Sequence, residues 1–131
     1  MDRKIHLFLS YMGLILSPAL AYAVTPHEQL AAYVKAAGLP ANPAAGQQFF
    51  TEKHGKDWSC ATCHSANPAA TGKHATTGKA ITALAPAADV TRFTDVAKTE
   101  KWFKRNCNDV LGRECSASEK ANLLAWLVTV K

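Results

Sequence analysis

Apolar residues recur at helical spacing in several stretches of this chain, and polar capping residues mark where each stretch begins. Leu30, Ala31, Tyr33 and Val34 form the first stripe. Just before it, Thr25 can cap, Pro26 suits the first helical position, and Glu28 completes a capping box. Gly38 and Pro40 stop that helix. Asn42-Pro43 repeats the start signal for a second helix through Phe49 and Phe50, and the polar run 53–59 reads as a loop. A third helix is predicted from about Thr94 to Arg105, with Val96, Trp102 and Phe103 apolar. The last opens on Ser116-Ala117-Ser118-Glu119, another capping box, and continues through Leu123, Leu124, Leu127 and Val128. No segment alternates with period two for long. The pattern predicts an all-α domain of about four helices.

Residues 66–88 are rich in Ala, Thr, Gly and Pro and have poor periodicity. Loops this long are uncommon in a compact domain unless they wrap something. Ile81 and Leu84 are the apolar groups such a loop would lay over a bound object.

The first residues belong to a different class. Asp2-Arg3-Lys4 is followed by an apolar run from Ile5 to Leu20, broken at Pro18, and then by Ala21-Tyr22-Ala23. That run is too short for a spanning helix and ends in a small-x-small cleavage pattern. Residues 1–23 are therefore expected to be a signal peptide, with the alternative an uncleaved anchor. Residues 24–131 form one domain, exported to the periplasm with no membrane span after cleavage. Removing Asp2, Arg3 and Lys4 changes the net charge from +5 to +4. The basic residues are scattered, with no aromatic-basic platform, so nucleic acid is not an expected partner. A modest positive balance can instead steer the protein towards acidic partners.

Ser59-Cys60-Ala61-Thr62-Cys63-His64-Ser65 contains C-x-x-C-H. Two thiols one helical turn apart can add to the two vinyl groups of a haem, and the next residue presents its imidazole to the iron. The competing readings are a thioredoxin-like redox pair and a zinc site. The first lacks its βαβ unit, and the second would need Cys107 and Cys115 as further ligands. The cofactor expected is one haem c with its iron, bound covalently through Cys60 and Cys63, with His64 as an axial ligand. Cys107 and Cys115 are not part of a second such motif. In an oxidising compartment they read as a disulfide, either a plain staple or a device that fixes a neighbouring residue near the haem.

Ordinary electron-carrying cytochromes c place a methionine opposite the histidine. Here Met1 and Met12 are the only methionines, and both precede Val24. The residues leave His27, His54, His74, a lysine, Asn106 or an open site as candidates. His74, in the long loop, is the most credible of the histidines, and His54 is expected on the proximal side.

The run Lys101-Trp102-Phe103-Lys104-Arg105-Asn106-Cys107-Asn108, with Gly112-Arg113-Glu114-Cys115, resembles the SHP (sphaeroides haem protein) type of cytochrome c and the related cytochromes c″. Thr77-Gly78-Lys79, Leu84-Ala85-Pro86, Arg92-Phe93-Thr94-Asp95 and Glu119 to Leu127 match as well, so the resemblance spans essentially all of residues 24–131. It implies a small cytochrome c-like fold. It also implies that the asparagine immediately before the first disulfide cysteine, Asn106, is the distal haem ligand. Cytochromes c″ carry histidine at that place, which points to the SHP branch. The resemblance further implies release of the asparagine on reduction, binding of O₂, NO or CO to the ferrous haem, and electron donors such as a dihaem cytochrome c and a membrane cytochrome b. Two alternatives stand beside this reading. One is a simple electron carrier, and the other weak reductase or peroxidase activity at an open haem, although no acid/base pair in the chain demands an enzyme.

Overall fold

A computed structural model describes residues 23–131, and the expected signal peptide lies outside them apart from Ala23. Five helices and one short hairpin make up the fold: α1 Pro26–Ala37, α2 Pro43–Thr51, α3 Ala61–His64, β1 Gly72–Lys73, β2 Ala80–Ile81, α4 Val96–Leu111 and α5 Ala117–Leu127. The domain is mainly helical, as the pattern implied. The helix count rises from about four to five because the C-x-x-C-H run itself winds one turn.

The caps form where the sequence placed them. Thr25 Oγ1 accepts from the Glu28 N–H at 3.1 Å while the Thr25 N–H donates to Glu28 Oε2 at 2.6 Å. Asn42 Oδ1 accepts from the Ala45 N–H at 3.1 Å, and Ser116 with Glu119 repeats the reciprocal box on α5. Gly38 ends α1 at φ 68°, a left-handed conformation that glycine takes without steric cost.

α5 is the centre of the domain, and both α1 and α2 pack on it. Leu124 and Leu127 are fully buried, and Phe50 from α2 sits 5.0 Å from Trp126, ring centroid to centroid. Each such side chain contributes roughly 1.5–3 kcal/mol by leaving water. α4 joins this group through side chains. Phe103 packs edge-on to Tyr33 at 5.8 Å, and Glu100 accepts from Tyr33 Oη at 2.5 Å and from Lys120 Nζ at 2.6 Å.

Two expectations change. α4 does not stop at Arg105 but runs to Leu111, where Gly112 caps it at φ 76°. Asn106, Asn108 and Asp109 are poor helix formers. The stripe Thr99, Phe103, Cys107 and Val110 is nonetheless buried at i, i+4, i+8 and i+11, and that burial carries the helix past them. The long loop also contains structure: β1 and β2 pair antiparallel, with Gly72 opposite Ile81 and Lys73 opposite Ala80.

Candidate functional site

The C-x-x-C-H turn is set up by its own flanks. The Ser59 N–H donates to Thr62 Oγ1 at 3.0 Å, and the Thr62 N–H donates back to Ser59 Oγ at 3.2 Å. The Cys60 carbonyl then accepts from the Cys63 and His64 N–H groups at 3.3 and 3.0 Å. Cys60 and Cys63 therefore lie one turn apart, half-buried and not bonded to each other. The chain leaves through Ser65 at φ 67°, and β1 presses back onto the turn. A Cβ at Gly72 would overlap the Cys63 carbonyl oxygen and crowd the His64 Cα, so only glycine allows that approach.

Cys60, Cys63 and His64 form part of the wall of a cavity of about 730 Å³, within the usual size range of ligand sites. Phe50 and Leu127 line it from the core, Ile81 and Leu84 from the long loop, and Phe103 and Asn106 from α4. His64 Nδ1 is buried without a hydrogen-bond partner, whereas Nε2 is open to the cavity. Burial, and secondarily the charge of Arg92, push the His64 pKa down to about 4. Its imidazole is thus neutral at ordinary pH, the form with a lone pair for a metal. Burial likewise pushes the Cys60 thiol up to about 11, the opposite of the activated thiolate a redox pair needs.

Cys107 is joined to Cys115 with a Cα–Cα distance of 5.6 Å, tying the interior of α4 to the residue before the cap of α5. Those thiols are thereby unavailable to complete a zinc site with Cys60 and Cys63. Among the described residues no group of three or more His, Cys, Asp and Glu side chains could hold a metal ion. Paired thiols, an adjacent neutral imidazole and a large apolar-walled cavity fit a covalently attached haem.

The other candidates are separated by position. Asn106 lines the cavity, and its side chain has no hydrogen-bond partner among the described residues. Asn108 points elsewhere and donates its amide to the Lys104 carbonyl at 2.6 Å. His54 is tied to the Phe49 carbonyl at 2.8 Å and packs tilted against the Phe49 ring, outside the cavity lining, as is His27. His74 reaches the lining beside the Cys60–His64 turn, where the next residue, Ala75, donates to Cys63 Sγ at 3.3 Å. Its Nδ1 already accepts from the Thr76 and Thr77 N–H groups at 3.3 and 3.1 Å. Lys79 and Lys98 are the lysines at the cavity.

Among the cavity residues with no role assigned from sequence are Arg92 and Phe93. Arg92 is held by the Ala83 carbonyl at 2.8 Å and by Thr82 through its carbonyl and Oγ1 at 2.8 and 2.7 Å. Phe93 adopts φ 57°, a conformation rare for a bulky residue, and packs against Phe103. Only the family-like run Arg92-Phe93-Thr94-Asp95 marked them in the sequence, because neither the fold-back of the loop nor a positive φ leaves a compositional trace.

Comparison with known proteins places this geometry. Residues 36–127 match a family model described as a domain of unknown function, DUF1924. The chain is 47% identical over 124 residues to the cytochrome c-type protein SHP of Cereibacter sphaeroides, covering 92% of this chain and 95% of that one. It superposes on the structure of oxidized SHP, described as an oxygen-binding cytochrome c, with a TM-score of 0.77 and 44% identity, over 82% of this chain and 98% of that one. It is also similar to the solution structure of Methylophilus methylotrophus cytochrome c″, a study of haem-ligand detachment. There the TM-score is 0.68 and the identity 39%, over 79% of this chain and 92% of that one.

Proposed function

This chain belongs to the family of c-type cytochromes that includes SHP and cytochrome c″, and on that premise we propose that it is an exported haem protein whose distal side opens on reduction. Its cofactor is one covalently bound haem c, which supplies an iron that accepts one electron and has two axial positions. Cys60 and Cys63 hold it by thioether bonds, and His64 takes one axial position through Nε2. Asn106 takes the other in the oxidised protein and leaves it on reduction, making room for O₂, NO or CO. A redox partner supplies the electron.

The observation that carries this reading is the unpartnered Asn106 side chain in the cavity that also holds Cys60, Cys63 and His64. Residues 23–131 contain no methionine to compete with it. A neutral amide oxygen is a hard, weak ligand, better matched to Fe(III) than to Fe(II), so little energy opposes its departure on reduction. The Cys107–Cys115 bridge restrains the adjacent backbone, so release need involve only local movement. Among the relatives, one is described as oxygen-binding and one through the detachment of a haem ligand, in line with this reading.

The test is the visible spectrum of the reduced protein with and without CO. A five-coordinate ferrous spectrum that changes on adding CO is expected. A low-spin ferrous spectrum that CO leaves unchanged would favour a plain electron carrier.

A further inference from the structure

A haem brings carboxylates to the cavity that holds it, and a carboxylate taken out of water without a partner is costly. The arginines and lysines lining the cavity are Lys79, Arg92, Lys98 and Arg105. Of these, Arg92 is the one whose head group is fixed by backbone carbonyls. Its Nε N–H donates to the Ala83 carbonyl at 2.8 Å, and Nη2 donates to the Thr82 carbonyl at 2.8 Å and to Thr82 Oγ1 at 2.7 Å. The loop that supplies these acceptors is itself held. The Leu84 and Ala85 N–H groups donate to the carbonyl of the fully buried Pro68 at 2.8 and 2.9 Å.

This clasp occupies Nε and Nη2, and Nη1 has no acceptor among the described residues. Asp89 Oδ2 lies 3.4 Å from Arg92 Nε, but the Nε hydrogen is directed to Ala83. The Asp89 carboxylate is engaged instead by Thr91 and by the Thr82 hydroxyl. It is a nearby counter-charge that leaves Nη1 free. The backbone points the same way. Arg92 and Phe93 are consecutive, yet both line the cavity, and Phe93 takes φ 57°. Such a conformation in a bulky residue persists only where the surroundings impose it, commonly at ligand sites.

We propose that Arg92 receives a haem carboxylate through Nη1, and that this pairing raises the reduction potential of the iron. The inference rests on the bound haem and not on the departure of Asn106. A guanidinium suits the task because it stays charged and its planar fork is preorganised for a carboxylate. Reduction adds one negative charge to the haem site, so a fixed cation there favours Fe(II), whereas an uncompensated carboxylate opposes it.

The experiment is a spectroelectrochemical titration of the holoprotein, with resonance Raman spectra of the haem propionate bending band, for wild type, Arg92→Gln, Arg92→Lys and Thr82→Val. Arg92→Gln keeps donors for the loop carbonyls but loses the charge. It should shift the reduction equilibrium roughly tenfold towards Fe(III), a midpoint about 59 mV lower for a one-electron couple, and should lower the propionate band frequency. Arg92→Lys should recover most of the midpoint shift. Thr82→Val loosens the loop but spares Nη1 and the charge, so its equilibrium should stay within twofold of wild type. An Arg92→Gln equilibrium within twofold of wild type, or an unmoved propionate band, would overturn the assignment. An Arg92→Lys midpoint as low as that of Arg92→Gln would overturn it too. So would a Thr82→Val shift as large as that of Arg92→Gln, which would make loop order the cause.

Discussion

Replacing Gly46 by alanine sets helix propensity against packing, and the structure decides the sign. In an open helix position this change stabilises by about 1 kcal/mol, because glycine gives up more backbone freedom on folding. Gly46, however, is the point on α2 where the backbone of α5 comes nearest. A Cβ there would overlap the Asn122 carbonyl group and come within 2.9 Å of the Leu123 amide nitrogen. These are backbone atoms, so no rotamer change relieves the clash and α2 itself must move. Moving it strains the Asn42 N–H to Asn122 Oδ1 bond of 2.7 Å and withdraws Phe50, fully buried, from Trp126. Overpacking of this kind costs about 1–3 kcal/mol or more, so the net change should be a loss of that order despite the propensity gain. Urea unfolding of the oxidised protein, followed by far-ultraviolet circular dichroism, measures it. Gly55→Ala is the control: its Cβ would meet only the Leu111 carbonyl at 3.4 Å, and its stability should stay within about 0.5 kcal/mol of wild type. A Gly46→Ala protein as stable as wild type, or more so, would refute the close helix approach on which the fold description rests.

The Cys107–Cys115 bridge closes a loop with a sequence separation of 8, and the chain-entropy relation gives about 2.5 kcal/mol for that length. The double variant Cys107→Ser/Cys115→Ser should lose at least this much in urea unfolding, and an unchanged midpoint would contradict the bridge's role. Acid stability should depend on Arg113. Its bonds of 2.9 and 2.7 Å to Glu119, opposed by burial and aided by the Ser116 N–H, hold the Glu119 carboxyl at about 2, below the ordinary 4.5. A depressed folded value means stability that is fully present above 4.5 and lost as pH falls towards 2. The Arg113 side chain is 56% exposed, so solvent screening keeps the contribution small. Arg113→Gln should lower stability slightly at pH 7 and converge with wild type near pH 2; parallel pH profiles would count against it.

Much of this was legible before any coordinates. Caps are local chemistry, so Thr25, Asn42 and Ser116 announced their helices within four residues. The C-x-x-C-H run is likewise a local geometric requirement, and it identified the cofactor. What stayed hidden depends on contacts distant in sequence. The extension of α4 through Asn106, Asn108 and Asp109 opposes local propensity and is carried by burial of Cys107 and Val110. The hairpin at Gly72–Lys73 and Ala80–Ile81 is too short to show a period, and glycine lets β1 lie against the Cys60–His64 turn. Chain position ranked His74 above His54, and the contacts separate them physically: His54 is tied to Phe49, whereas His74 lies beside Cys63 at the cavity. Asn106 and Asn108 are also alike in composition. Helix phase turns one towards the cavity and the other towards the Lys104 carbonyl.

The most direct measurement is the electron paramagnetic resonance and visible spectrum of oxidised Asn106→Ala beside that of wild type. If Asn106 is the ligand that reduction releases, the low-spin ferric component disappears in the variant while the reduced spectra of the two proteins remain alike. Persistence of the low-spin ferric signal in Asn106→Ala would contradict the account and turn attention to His74.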